Sequence, residues 1–305
     1  YATEKLTAFV QGAVSQQGFK KNDYFLYLTS NPLSSTSYKN IMGGNIKGGA
    51  NYNINEQHNV FVNAGYYSKQ PFFNAVYPNN KSLVNENLTN EKIFGLEAGY
   101  GFKSATFNAN VNIYHTTWKD RYQRSTDPAT TNQGGYFDFA GIQEVHDGVE
   151  LEFTYKPLKK LDINGMFSYG NWYYKNDITA NRYDVNNAQI GTGSTLYLDG
   201  VKVGDAAQTT AALGAAYKIT NGLKIDANYR YADRLYAAIS PANFTTANNK
   251  GSLQLPSFGL LDAGVSYKME LGKNKSESLN FRFNMNNVLD KVYIAESKTN
   301  IRSEE

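Results

Sequence analysis

Residues 105–118 read ATFNANVNIYHTTW, and the alternation in this stretch decides the fold. Apolar side chains occupy every second position, at Phe107, Ala109, Val111 and Ile113. Asparagines fill the positions between them, at Asn108, Asn110 and Asn112. A period of two is that of a β-strand with one apolar and one polar face. The polar face carries amides where a soluble sheet usually carries charges, so the stretch predicts a strand in an uncommon environment.

The same alternation recurs along most of the chain. It is clearest in GGNIKGGANYNI (43–54), FGLEAGYGF (94–102), GVELEFTY (148–155), LKIDANYRY (223–231), LDAGVSYKM (261–269) and LNFRFNM (279–285). Weaker versions lie near 4–16, 58–69, 161–172 and 207–219. Together these segments predict an all-β fold with about eleven strands and no helix.

The predicted connections between these strands alternate between short and long. The short ones are 55–57, the turn around Ser104, 156–160, 220–222 and 272–276. The long ones are 17–42, 70–91, 120–134, 174–206 and 233–257. Strict alternation is typical of an up-and-down antiparallel sheet with one plain rim and one elaborated rim. A sandwich with Greek-key crossings would not produce it.

Aromatic residues are abundant, with 24 Tyr and 17 Phe. Five tyrosines lie on the apolar face close to a short turn: Tyr52, Tyr100, Tyr155, Tyr217 and Tyr267. Tyrosine is favoured where hydrocarbon meets water, because its ring is apolar and its hydroxyl is polar. We therefore predict a membrane girdle, with Trp118 in a second girdle on the long-connection side. The alternative is that these side chains cap the edge of a soluble core.

These patterns together predict a transmembrane antiparallel up-and-down β-barrel in the cell outer membrane. Bacterial single-chain barrels of this kind have an even number of strands. An open sheet edge in lipid would leave backbone groups unpaired, at a cost of several kcal/mol each. Since eleven strands cannot close such a barrel, we expect the native barrel to contain more chain than these 305 residues.

Composition and residue spacing argue against several other functions. The net charge is only +3, which predicts no nucleic-acid partner. The chain has no Cys, and His58, His115 and His146 lie far apart, so we predict no metal site and no cofactor. Glu150 and Glu152 share the polar face, where ion pairing is a commoner role than acid catalysis. No catalytic constellation is present, so the sequence predicts no enzyme.

Several longer motifs resemble one known family. They are NAGYYSKQPFF (63–73), LTNEKIFGLEAGYGF (88–102), GVELEFTYKPLKKLDINGMFSY (148–169) and FNMNNVLDKVY (283–293). In this order they resemble the C-terminal half of the barrel of a TonB-dependent outer-membrane receptor. The resemblance implies a barrel of about 22 strands around a plugged lumen. It makes residues 1–305 a C-terminal portion of that barrel, with the plug domain and the final strand absent.

The resemblance also implies a function, which is energised uptake of a scarce large solute such as a siderophore, haem, glycan or peptide. The implied partners are outer-membrane lipid, the receptor's own plug domain, the TonB complex, the solute and a surface lipoprotein. Two other functions stay open from the residues alone. The chain could belong to a passive porin-like diffusion barrel, or to a surface-binding barrel.

Aromatic and basic residues of the long connections are the candidate ligand contacts, because loops on a rigid scaffold commonly carry specificity. They are Phe72, Phe73, Tyr77, Arg121, Arg124, Trp172, Tyr173 and Tyr174. The alternative is that these side chains pack the loops against one another.

Overall fold

A computed structural model describes residues 3–127, 134–239, 243–272 and 276–297. Eleven strands form one antiparallel wall in which each strand pairs with the strands before and after it. The wall strands are β1 (Leu6–Phe19), β2 (Lys39–Asn53), β3 (His58–Lys69), β4 (Glu91–Lys103), β5 (Phe107–Thr126), β6 (Tyr136–Leu158), β7 (Leu161–Tyr174), β10 (Ala207–Lys218), β11 (Leu223–Leu235), β12 (Phe258–Leu271) and β13 (Glu277–Met285). The predicted up-and-down topology and all-β class are confirmed.

Two further strands lie outside the wall. β8 (Ile178–Tyr183) and β9 (Gln189–Leu196) form a hairpin, and β8 also pairs with the outer end of β6. The sequence prediction placed this hairpin inside a loop, so its count of eleven strands is two too low. The prediction of no helix is also corrected, because Phe73–Val76 forms a single helical turn, α1, and 3-10 turns lie at Pro32–Ser34 and Pro78–Asn80.

The alternation of short and long connections is confirmed. Short turns lie at 54–57, 104–106, 159–160 and 219–222, all at one rim of the wall. The other rim carries connections of nine to 32 residues. Residues 128–133, 240–242 and 273–275, which fall in three of the predicted connections, lie outside the described residues.

The register joins the asparagine face of β5 to a polar face that crosses the sheet. Asn112 lies opposite Gly99 of β4 and Glu150 of β6. Its side-chain nitrogen donates to Glu97 Oε1 and to Glu150 Oε2, each at 3.0 Å. The amide thus uses both of its N–H groups to bridge two carboxylates on neighbouring strands.

The opposite face is apolar along the same rows. Val111 lies between Tyr100 and Leu151, and Leu151 lies beside Phe167 of β7. These side chains are not covered by other parts of the described chain, and Ile113 is 60% exposed. A wide, continuous apolar face of this kind fits the lipid-facing surface of a barrel.

The five girdle tyrosines lie on this apolar face near the short turns and are 40–46% exposed. Trp118 does not share their face. Its ring stacks on His146, and it differs by an even number of residues from Asn112, so it belongs to the asparagine face. The prediction that Trp118 belongs to a girdle is therefore wrong, because side chains on one strand change face at every residue.

The sheet is open at both ends of the described wall. β1 pairs only with β2, and β13 pairs only with β12. Within the described ranges, no helix has both the length and the apolar character needed to cross a bilayer. The described wall is an open antiparallel sheet with one unpaired edge at each end.

Candidate functional site

The long connections form a structured platform at one rim of the wall. A buried apolar cluster joins the outer ends of β6 and β7, the β8–β9 hairpin, the connection after β9 and the connection between β11 and β12. Its buried members are Phe139, Ile142, Tyr174, Ala180, Leu196, Leu198, Val201 and Phe244. Because these loops have an apolar core of their own, they can hold side chains at fixed positions above the wall.

A cavity of about 420 Å³ lies where this platform meets the asparagine face. Its polar lining comes from Arg121, Glu144 and Asp205, and Tyr174 contributes an aromatic wall. Apolar side chains of Ile142, Val203 and Ile239 complete the lining of this partly open cavity. The cavity has the size and mixed lining of a small-molecule site.

Glu144 is the most deeply buried charged group beside this cavity, with 2% of its surface exposed. Its carboxylate accepts from Arg121 and lies 3.1 Å from Nε2 of His146. The Arg121 guanidinium also lies over the ring of Trp118, 5.0 Å from the ring centroid. A buried carboxylate needs such partners, because an uncompensated buried charge is strongly destabilising.

A stack of aromatic rings continues from the cavity along the asparagine face. His146 lies between Trp118 and Trp172, with centroid distances of 6.4 and 5.3 Å and interplanar angles of 18° and 20°. Nε1 of Trp172 donates to the hydroxyl of Tyr114 at 2.9 Å. The four side chains come from β5, β6 and β7, and they form an aromatic surface just inside the wall.

Sequence reasoning missed most of this surface. It named Trp172 but assigned Trp118 to the lipid face, and it gave Tyr114 and His146 no role. The available signal was strand parity, since all four residues fall on the polar face of their strands. The register that places them side by side is a tertiary property.

A second polar cluster lies farther out, at the outer ends of β5 and β6. Asp138 is 3% exposed, and one of its oxygens accepts weakly from Asn85 at 3.3 Å. The guanidinium of Arg124 lies over the Tyr136 ring at 5.4 Å, and the hydroxyl of Tyr122 is buried with no hydrogen-bond partner. Burial raises the pKa of Asp138 to about 6, against the opposing effects of the Asn85 hydrogen bond and the Arg124 charge.

Three of the predicted contact residues lie together in the connection between β3 and β4. Phe72 and Phe73 are exposed at the rim, and the Phe73 ring packs 5.0 Å from that of Tyr77. Tyr77 is only 1% exposed, and its hydroxyl lies 2.9 Å from that of Thr36 and donates to the carbonyl of Phe19 at 3.3 Å. Tyr77 is therefore a packing residue that joins two connections, which corrects its assignment as a ligand contact.

The other predicted ligand-contact residues do not form one site. Arg121 and Tyr174 line the cavity, and Trp172 lies beside it in the aromatic stack. Arg124 belongs to the outer cluster around Asp138. Tyr173 lies on the opposite face from Trp172, with the ammonium of Lys202 5.8 Å from its ring. No group of three or more His, Cys, Asp or Glu side chains in the described ranges is arranged to hold a metal ion.

The sequence profile of one protein family, described as TonB dependent receptor-like, beta-barrel, matches residues 19–288. A comparison with curated proteins finds no significant match. Solved structures with a similar fold include the ferric-catecholate import receptor Fiu from E. coli K12 in its closed form. That structure has a TM-score of 0.63 and 16% identity, over 98% of this chain and 40% of Fiu.

Two further structures share the fold. The copper transporter OprC has a TM-score of 0.68 and 13% identity, over 97% of this chain and 41% of OprC. BauA, the ferric preacinetobactin receptor from Acinetobacter baumannii, has a TM-score of 0.60 and 17% identity, over 96% of this chain and 37% of BauA.

The chain thus spans about 40% of the length of these structures, and at such low identity the likeness shows a shared fold. The family assignment comes from the profile, which covers most of the 305 residues. Its members are transport proteins rather than enzymes, and they cross the outer membrane by strands. The chain belongs to the TonB-dependent receptor family and forms part of an outer-membrane β-barrel.

Proposed function

We propose that this chain is the C-terminal part of the barrel of a receptor that imports a scarce solute with energy delivered through TonB. The remaining barrel strands, the plug domain and the closing strand would come from the rest of that receptor. Family membership is the observation that carries the proposal. The five tyrosines near the short turns would form its inner-leaflet girdle, at the periplasmic border of the membrane.

The outer platform favours import over passive diffusion. A diffusion pore needs a polar, open lumen, whereas this chain builds a partly open cavity of mixed lining beside a buried Glu144 and an aromatic stack. A cavity with such a mixed lining suits capture of a particular solute. The second candidate, a passive porin-like barrel, has no comparable observation in its favour.

A metal complex is the solute class that we favour. The three structural neighbours described above handle ferric catecholates, copper and ferric preacinetobactin. We propose that Arg121, Trp172 and Tyr174 contact the solute at the cavity, and that Phe72 and Phe73 meet it first at the rim. A planar aromatic chelate could stack on the exposed side of such rings.

Uptake measurements on cells that carry the full-length receptor test the proposed function. We expect accumulation of a labelled solute to stop when a protonophore collapses the proton-motive force, while surface binding of the solute persists. Deletion of TonB should have the same effect. Uptake that continues at an unchanged rate in either condition would establish passive diffusion and contradict the proposal.

A pair of adjacent substitutions tests the ligand-contact residues. We expect Trp172→Ala to weaken binding of the imported solute by roughly tenfold, because one aromatic contact contributes about 0.5–1.5 kcal/mol. Tyr173→Ala is the matched control, since its side chain lies on the opposite face of the same strand. Binding titrations on the purified full-length receptor give both dissociation constants. Equal effects of the two substitutions would refute the assignment of Trp172.

The raised pKa of Asp138 predicts a pH dependence of the outer platform. The carboxyl has a pKa of about 6 in the folded loops and 3.8 as its ordinary value. Its protonated form therefore stabilises the folded loops fully below about pH 4, and this stability is lost as the pH rises to about 6. The free energy of opening the folded loops therefore falls by about 2–3 kcal/mol over this pH range.

Hydrogen exchange of amides 134–139 in the full-length receptor measures the free energy of opening this platform. We expect it to fall between pH 4 and pH 6 and then to level off. Asp138→Asn should remove the fall, and the exposed Asp199→Asn should leave it unchanged. A pH profile that is the same in Asp138→Asn and in the unsubstituted receptor would contradict the account.

A further inference from the structure

The apolar outward face of the wall changes character at one row of residues. The apolar row next to this change on β5, β6 and β7 consists of Ile113, Val149 and Tyr169, which lie side by side in register. The next row on the same face, closer to the long connections, consists of His115, Asp147 and Asn171. Since the apolar rows face hydrocarbon, this polar row lies at the level of the lipid headgroups of the outer leaflet.

Lys202 lies on the same outward face at this level. It comes from the connection after β9 and forms a bridge with Tyr173 at the end of β7. Its ammonium lies 2.5 Å from Oδ1 of Asn171 and 5.8 Å from the centroid of the Tyr173 ring. The neighbouring Val201 points the other way, into the apolar cluster of the platform. The ammonium is thus directed away from the lumen.

A second cation lies beside it. Arg234 lies at the end of β11 nearest the long connections. Its guanidinium lies over the lipid-facing ring of Tyr169, 4.4 Å from the ring centroid. It also donates to the carbonyl of Gly170 at 2.7 Å. Arg234 has a positive φ of 52°, so the strand turns here. The two cations thus contact adjacent residues of β7, Lys202 at Asn171 and Arg234 at Gly170. Burial and the charge of Arg234 both lower the pKa of Lys202.

These two cations lack acidic partners. Neither Lys202 nor Arg234 forms an ion pair with a described residue, and two nearby carboxylates, one on β6 and one on β11, make other contacts. Asp147 lies 2.6 Å from Nδ1 of His115, and Asp233 accepts from the backbone N–H of Arg234 at 2.7 Å. Two adjacent positive charges at a membrane border therefore have no direct ion pair within the described residues.

We propose that Lys202 and Arg234 form a binding site for the phosphate group of an outer-leaflet lipid. A phosphate would relieve the repulsion between the two cations, and a guanidinium can bind its oxygens in bidentate fashion. The rings of Tyr169 and Tyr173 flank the site, as amphipathic residues do at a headgroup level. The site lies beside the outer ends of β7 and β11, which are interior strands of the described wall. Strands that pair with the open edges of the wall would leave this face exposed to lipid.

The test uses the full-length receptor, purified from outer membranes in mild detergent and examined by native mass spectrometry for retained phosphorylated lipid. We expect the double variant Lys202→Gln/Arg234→Gln to retain roughly thirtyfold less of this lipid, since each basic residue at a membrane surface contributes about fivefold. The matched control is Lys218→Gln/Lys224→Gln, which removes two paired cations from the other rim. It should retain the lipid fully.

Rebinding of defined lipids separates the sources of the phosphate. A lipid whose phosphate has been removed should fail to rebind, and excess inorganic phosphate should not displace the intact lipid. Displacement by inorganic phosphate alone would indicate a free-anion site and overturn the proposal. Equal lipid retention by the double variant and the unsubstituted receptor would overturn it as well. If the double variant does not fold, the single variants Lys202→Gln and Arg234→Lys should each show a several-fold loss.

Discussion

Hydrocarbon offers no hydrogen-bond partner, so a chain that crosses it in an extended form must pair every backbone group with a neighbouring strand. The long ladders of this protein satisfy that requirement from β2 to β12. Once the strands are paired, their side chains are forced to alternate between lipid and lumen. The sequence ATFNANVNIYHTTW follows directly from this constraint.

The constraint ends at the headgroup level, and the chemistry of the chain changes there. Below it, the lumen face consists of amides and carboxylates that bridge one another, as Asn112 does with Glu97 and Glu150. Above it, loops with an apolar core of their own hold the cavity and the Asp138 cluster. On the lipid side, the same boundary carries Lys202 and Arg234 beside tyrosine rings. Three different surfaces thus depend on one ladder of paired strands.

Much of the wall could be predicted from sequence, because period-two alternation is local and is repeated in every strand. The hairpin β8–β9 could not, since ITANRY and QIGTGSTL are short and largely polar and pack on loops rather than lipid. Trp118 was misplaced because its aromatic character was weighed above its parity on the strand. The role of Tyr77 depends on Thr36 and Phe19, which are distant in sequence. Pattern reasoning has no access to contacts of that kind.

The central claim is that the odd-numbered residues of 107–113 face lipid and the even-numbered ones face the lumen. The 305 residues contain no cysteine, so single cysteines can be placed from 107 to 113 in a cysteine-free full-length receptor and spin-labelled in bilayers. Collision rates with oxygen, which concentrates in hydrocarbon, and with a water-soluble nickel complex then report each environment. We predict high oxygen accessibility at 107, 109, 111 and 113 and low oxygen accessibility at 108, 110 and 112. Accessibility without a period of two, or with the opposite phase, would contradict the account.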